Sequence, residues 1–423
     1  MADVSESQGK LKLGALADSA TAHFLADHRG EGLTIEAIVE GLGTRMISDG
    51  LPLHRVAVNL SDYRPEVIGR AYAWTRGKGI EITDRAYTPK RNEAYWESPI
   101  RIIAEGAEGL RRRLEDPGAV VDFAITRELR AQGATDYVAM ALVFSDTTRH
   151  FVSWTTDRHD GFTTEEVTFF DLILPLMCMR LELAHSRRIT EQLLTTYLGS
   201  DATRRIMSGN IRRSLGEDIN SVIFYCDLRG FTRLTDTLQP SEVIGVLGEY
   251  YDAVGGAVRL HGGDVIKMIG DGMIAIFPIT DSMEAGRVAR EALDAAREAR
   301  LALESIPPER LPDGVDRLAA GFALHVGQVT FGNIGSRDRL DFTVIGPAVN
   351  EVSRIEPLTK VLGHSILLTA AFANLQSGID VKSLGSHALR GVSEPREIFT
   401  PDEASASIPS SLKPPGTIVT GMG

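Results

Sequence analysis

Cysteine is nearly missing from this chain: Cys178 and Cys226 are the only two in 423 residues. Two thiols supply neither the disulfide framework of a small secreted domain nor the usual four ligands of a structural zinc site, and a reducing compartment fits. Long hydrophobic runs are missing too. The best candidate, Phe169 to Met179, is broken by Asp171 and Pro175 and falls short of the roughly eighteen apolar residues a membrane helix needs. No membrane span is expected. The first ten residues, MADVSESQGK, lack the basic start and apolar stretch of a secretory signal, so the expected location is cytoplasmic. Positive charge is also in deficit. A formal net charge of −12 argues against sequence-independent nucleic-acid binding, which needs a basic surface to displace counterions from phosphates.

What is present is enough apolar material for two cores: 43% of the residues are hydrophobic, and the length exceeds one ordinary domain. The pattern divides the chain into a segment 1–30, a first domain 31–186, a helical connector 187–215, a second domain 216–400 and a disordered tail 401–423 rich in Pro, Ser and Gly. The first segment reads as helical around Ala15 to His28. In the first domain, Ile35, Ile38, Val39 and Leu42 mark an amphipathic helix that ends near Gly50. Strands are expected at Arg55 to Leu60, Val67 to Trp74, Tyr137 to Phe144 and His150 to Thr155, with a helix over Ile102 to Leu114. Thr163 and Glu166 form a capping box opening a long helix from about Thr164 to Ser186 or beyond. This α+β order resembles a GAF-type sensor domain in architecture. An unclassified α+β module whose closing helix pairs with its own copy stands beside that reading.

The second domain alternates strand and helix regularly. The strand Ser221 to Cys226 runs into Asp227-Leu-Arg-Gly-Phe-Thr232, and a helix from Pro240 ends at Gly262 and Gly263. A hairpin follows, Asp264 to Ile269 and Met273 to Pro278 about the turn Gly270-Asp271-Gly272, whose carboxylate stands at the tip. Asp227 and Asp271 both sit where strands of one sheet finish, so they can converge on a magnesium ion, which prefers oxygen ligands and leaves positions open for substrate phosphates. Gly230, Phe231 and Thr232 can present backbone N–H groups to phosphate. Further on, LAAGFALHVGQVTFGNIGS reads as two strands about a turn at Gly327. Asp341 to Arg354 then enters a helix whose Asn350 and Arg354, four apart, share one face. Taken singly, an Asp-Gly turn is more often structural, and an Asn/Arg pair at this spacing is more often a solvated surface.

Together, the runs FYCDLRGFT, GGDVIKMIGDGMIAIF, DFTVIGPAVNEVSR and LRGVSEPREIF resemble, in order and spacing, the catalytic domain of class III nucleotidyl cyclases. The resemblance covers about residues 215 to 400. It implies a ferredoxin-like α/β fold in which catalysis occurs only between two such domains, so a homodimer follows. It implies that ATP is turned into cyclic AMP and pyrophosphate, with two Mg2+ or Mn2+ ions per active site. Asp227 and Asp271 match the metal-binding aspartates, with the Leu228 carbonyl as a further ligand. Lys267 and Thr343 match the purine-reading pair, Asn350 the residue that orients the ribose, and Arg354 the one that stabilises the α-phosphate in the transition state. Arg390 matches a cation on the triphosphate, and Arg337 and Arg339 are further phosphate candidates. Asp341 is a register trap, because counting seven back from Asn350 selects Thr343. The family's commonest residue there is aspartate, and the threonine variant is similar to the subclass linked to bicarbonate stimulation.

Adenine follows from hydrogen bonding. Its N1 accepts, matching the Lys267 ammonium that only donates, whereas guanine N1 carries a hydrogen. Guanylate cyclase activity and a catalytically inactive cyclase-like module are the alternatives. Gly262-Gly263-Asp264 is similar to a diguanylate cyclase motif, but Val265-Ile266-Lys267 lacks the acidic and aromatic continuation of that signature. His261 and His325 have no partners at metal-ligand spacing, and Cys226 should point away from Asp227 into packing. The partners expected are ATP, a second copy and an unknown small-molecule regulator of the first domain.

Overall fold

The computed structural model describes residues 18–27, 34–64, 67–86, 96–209, 216–375, 378–392 and 394–402. Ala15 to Ala17 and His28 of the expected first helix, positions 210–215 of the connector and positions 403–423 of the tail lie outside the described residues. The chain divides into two compact units, Met1–Tyr197 and Leu198–Gly423. Among the described residues no helix is long and apolar enough to cross a membrane.

The first unit is mixed α/β. Helices α1 (Ala20–Ala26) and α2 (Ile35–Ser48) precede strands β1 (Arg55–Arg64), β2 (Val67–Thr75) and β3 (Gly79–Ala86). Then come α3 (Pro99–Ala104), β4 (Gly109–Arg113), α4 (Ala124–Ala131), β5 (Asp136–Val143), β6 (Arg149–Thr156) and the 35-residue helix α5 (Thr164–Leu198). The strands form one antiparallel sheet in the order β3-β2-β1-β6-β5-β4. Because strand side chains alternate, Val56, Val58 and Leu60 join Tyr72, Trp74 and Trp154 in a core shared with Ile38, Leu42, Phe170 and Met177 of α2 and α5. Tyr137, Ala139, Ala141 and Phe151 face the other way, toward Ile103 and Leu129 of α3 and α4. The capping box is formed: Glu166 N donates to Thr163 Oγ1 at 3.2 Å and Thr163 N to Glu166 Oε2 at 2.8 Å.

One expectation fails here. The helix read over Ile102 to Leu114 stops at Ala104, and Gly109 onward pairs with β5. Gly106 takes φ +113, which L side chains rarely adopt, and so turns the chain.

The second unit opens with α6 (Ser200–Met207) and continues β7 (Gly216–Leu228), α7 (Phe231–Thr237), α8 (Pro240–Leu260), β8 (Asp264–Ile269), β9 (Gly272–Pro278), α9 (Ala285–Glu304) and β10 (Ala320–Gly335). It closes with β11 (Leu340–Ile345), α10 (Pro347–Ile355), α11 (Leu358–Leu362), β12 (Ile366–Thr369), α12 (Ala370–Ala373), β13 (Val381–His387) and β14 (Arg396–Pro401). The sheet order is β13-β14-β12-β10-β7-β9-β8, with β11 on β10. Its heart is a βαββαβ unit, β7-α8-β8-β9-α9-β10, in the spatial order 4-1-3-2, which is the ferredoxin-like arrangement. Val222, Phe224 and Cys226 pack with α8 and α9 on one face. Ile223 packs with Val352 and Ile355 of α10 on the other, so Asp227 opens on the α10 side.

The turn expected at Gly327 does not occur. β10 runs unbroken through it and pairs with β7 from Ala320↔Leu228 to Gly332↔Gly216. The glycine serves packing instead: a Cβ there would meet Ala348 Cβ at 2.7 Å, where α10 lies on the strand.

Candidate active site

Asp227 is the penultimate residue of β7, and Asp271 is the tip between β8 and β9. The two ends are stitched together by the Leu228 N–H donating to the Asp271 carbonyl at 3.0 Å. Helix α8 pins the same tip, since the Tyr251 hydroxyl donates to the Gly270 carbonyl. On the sheet, Asp227 lies opposite Gly272 in β9 and Gly321 in β10. Neither neighbour has a side chain, which leaves room around the carboxylate. Burial first, and then the negative charge of Asp271 beside it, push the Asp227 carboxyl above its usual range, with Lys360 opposing. Two crowded acids with open surroundings are a donor set that fits a hard divalent cation, which would relieve their repulsion.

A third carboxyl escaped the sequence reading. Glu356 follows Arg354 by two residues and is only 6% exposed. It accepts a hydrogen bond from Thr359 Oγ1 at 3.3 Å. Its Oε1 sits so close to Gly321 that a Cβ there would be 2.2 Å away. Burial, then the field of Asp227, raise its carboxyl to about 7. The helical spacing of Ala348, Val352 and Ile355 was a usable signal, since it carries the buried face of α10 toward position 356.

The phosphate-side glycine Gly230 takes φ +78 and leads into α7, where Leu234 N donates to the Gly230 carbonyl at 3.1 Å. Phe231 is half-buried against the core, and Thr232 is exposed.

The purine-side candidates form a second group. Lys267 in β8 is ion-paired with Asp341 at the start of β11. Thr343 lies two residues further along β11, opposite Gly332 of β10, and is half-buried. Asn350 and Arg354 are both exposed on α10, and Arg354 Nη1 donates to the Gly391 carbonyl at 3.2 Å. That contact ties Arg354 to the loop carrying Arg390, itself exposed. Arg337 and Arg339 are exposed in the β10–β11 loop. Among the described residues no hydrogen bond or ion pair joins this group to Asp227 and Asp271. His261 caps α8 and pairs with Glu298 at 2.8 Å, while buried His325 shares a hydrogen bond with Thr369. Cys226 contacts the Tyr250 hydroxyl at 3.1 Å inside the core, on the face away from Asp227.

Residues 217–400 match the family model of the adenylate and guanylate cyclase catalytic domain. Over 160 residues the chain is 32% identical to an adenylate cyclase of Anabaena cylindrica, covering 38% of this chain and 31% of that protein. Over 178 residues it is 30% identical to adenylate cyclase 1 of Rhizobium meliloti, covering 41% of this chain and 26% of that protein. It thus spans about a third or less of the length of these curated relatives. A bacterial light-regulated adenylyl cyclase structure shares 27% identity, with 55% of this chain and 66% of that one covered and a TM-score of 0.44. Residues 217–400 are thus similar over their whole length to adenylate and guanylate cyclase catalytic domains.

Proposed function

We propose that this protein is an adenylate cyclase that converts ATP to 3′,5′-cyclic AMP and pyrophosphate at sites shared between two copies in the cytoplasm. The observation that carries the reading is the Asp227 and Asp271 pair, held together beside Gly272 and Gly321 in a domain of the cyclase catalytic family.

Asp227, Asp271 and the Leu228 carbonyl would hold the divalent ions, Mg2+ or Mn2+ and two per site, which when bound would supply Lewis-acid activation of the 3′-hydroxyl and neutralise phosphate charge. The protein's own groups do the positioning. Asn350 orients the ribose, and Arg354 donates to the α-phosphate oxygens where charge accumulates. Arg390 and the N–H groups of Gly230, Phe231 and Thr232 hold the triphosphate. Lys267 donates to adenine N1, and the Thr343 hydroxyl accepts from the exocyclic amine. Lys267 and Thr343 are read together as the purine pair, and a threonine at 343 supports a reading of the domain as the threonine variant of the family. The first unit is read as a GAF-like regulatory domain binding a small molecule. Its six-stranded antiparallel sheet, with α2 and α5 on one face and α3 and α4 on the other, supports that reading.

The test is turnover of ATP and GTP by the purified chain with Mn2+ or Mg2+, measured as cyclic nucleotide and pyrophosphate. ATP should be preferred, and Lys267→Glu with Thr343→Cys should move the preference toward GTP. Asp227→Ala or Asp271→Ala should each lower turnover about 10³-fold, several kcal/mol of lost transition-state stabilisation. Retained activity in both variants would remove the acid pair from the chemistry, and a wild type preferring GTP would overturn the adenine assignment.

A further inference from the structure

Helix α8 lies directly on the β8–β9 hairpin. A Cβ at Gly255 would stand 3.8 Å from Met273 and 3.9 Å from Val265, ordinary contact distances. One turn earlier on the helix, the Tyr251 ring packs against the core and its hydroxyl donates to the Gly270 carbonyl at the hairpin tip. The tip is a two-residue loop, Gly270-Asp271, because Ile269 pairs with Gly272. Loops of this length adopt type I′ or type II′ turns, which differ in how the peptide between the two central residues is turned. Type I′ needs a positive φ at both central residues, type II′ only at the first. Gly270 has φ +62, and among the described residues other than glycine only Thr147 and Asp160 have positive φ, so the turn is type II′. A Gly-Asp pair by itself permits either, since aspartate tolerates the left-handed region.

We propose that the Tyr251 hydroxyl selects this turn and so aims the Asp271 carboxylate at Asp227, which makes Tyr251 a positioning residue for divalent metal binding. The two peptide planes flanking the Asp271 Cα set its φ and ψ. One is held by the backbone, since Leu228 N donates to the Asp271 carbonyl at 3.0 Å. The other carries the Gly270 carbonyl, which accepts from Tyr251. A flip of that second plane converts type II′ into type I′, turns φ of Asp271 positive and swings its Cβ to a new direction. Glycine at 270 has no side chain to resist the flip. Burial first, and then the charge of Asp271, raise the Tyr251 pKa, so the hydroxyl stays a donor. Groups that orient a metal-binding carboxylate affect affinity nearly as strongly as the ligands themselves. The inference rests on the acid-pair reading of the site and extends it to a side chain of the neighbouring helix.

The experiment compares the full chain with its Tyr251→Phe variant, which keeps the ring and removes only the hydroxyl. Mn2+ alone is titrated onto each protein without nucleotide, and the free ion is read by electron paramagnetic resonance. The variant should bind Mn2+ about ten-fold more weakly. In turnover with ATP its Mn2+ activation constant should rise by a similar factor, while kcat at saturating Mn2+ stays within about two-fold of wild type, because a bound ion holds the carboxylate in place. The unfolding midpoint should move by no more than a few degrees. A merely structural role would lower the midpoint and kcat and leave the Mn2+ affinity unchanged, and that result would overturn the proposal, as would superimposable Mn2+ titrations. The binding arm does not depend on turnover, so the cyclase reading can fail while weakened Mn2+ binding in the variant still supports the positioning role.

Discussion

The Lys267 ammonium is ion-paired with Asp341, two residues along β11 from Thr343. Both side chains are about half exposed, at 41% and 48%, so the pair is worth about 0–1 kcal/mol to folding. Its consequence lies in where the ammonium is held. An ammonium has three donors, so one hydrogen bond to Asp341 leaves two for a purine and for Thr343. Asp341→Asn should therefore raise KM for ATP several-fold while kcat changes little, because the residue acts on a group that binds substrate and transition state alike. Thr343→Ala, which leaves the lysine anchored, should have the smaller effect. Steady-state kinetics with unchanged KM in Asp341→Asn would sink this reading.

Glu356 gives a stability prediction whose sign can be worked out. Its folded carboxyl titrates at about 7 against an ordinary 4.5, because of burial first and then Asp227. A folded value above the unfolded one means that the protonated form stabilises fully below 4.5, and that this contribution is lost as pH rises through about 7. Glu356→Gln cannot ionise and should lack the loss. In metal-free buffer its unfolding midpoint should rise relative to wild type between pH 5 and 8. Circular dichroism is the probe, since Trp74, Trp96 and Trp154 all belong to the first unit. A pH-independent difference between the two proteins would refute the assignment.

Much of the second unit was legible because its punctuation is local. Pro240, the Gly262-Gly263 stop and the Gly270-Asp271-Gly272 turn each act through the backbone, and α8, β8 and β9 begin and end there. Asp227 and Asp271 were legible for the same reason. What could not be read depends on distant contact. Gly327 looks like a turn residue until α10 is packed against it, and the partner of Lys267 depends on how β11 lies beside β8. The buried state of Glu356 depends on Gly321, and the two are 35 residues apart in the chain. In the first unit, Gly106 breaks a helix that apolar spacing alone extends to Leu114.

His150 offers a second pH handle, in the first unit. It is 5% exposed, its Nδ1 accepts from Ser61 N at 3.2 Å, and its ring lies 5.4 Å from that of His185. Burial, then the neighbouring His185, lower its pKa to about 4 from an ordinary 6.5, and burial lowers His185 as well. A depressed folded value contributes stability present above 6.5 and lost as pH falls toward 4, on the order of 3 kcal/mol for this one ring. Tryptophan-monitored urea unfolding of wild type should weaken across that window. His150→Gln should flatten the slope, whatever its absolute stability, and an unchanged slope would assign the acid sensitivity elsewhere.

The last prediction concerns how the two groups of site residues come together. Lys267 and Asp271 stand on one hairpin, four residues or roughly 13 Å apart at strand rise. No described contact links the purine-side group to the acid pair within one chain. If each site takes Asp227 and Asp271 from one copy and Lys267, Thr343, Asn350 and Arg354 from the other, a symmetric dimer has two sites. Asp271→Ala and Arg354→Ala should each be inactive alone. In a heterodimer of the two, both lesions fall in the same site and the other site is intact. Random pairing makes half the dimers mixed, each with one of two sites, so co-expression should restore about a quarter of wild-type activity. Differently tagged copies purified in tandem isolate the heterodimer, which should then reach about half of wild type per dimer. A tandem-purified heterodimer without activity would mean that the sites are not shared in this way.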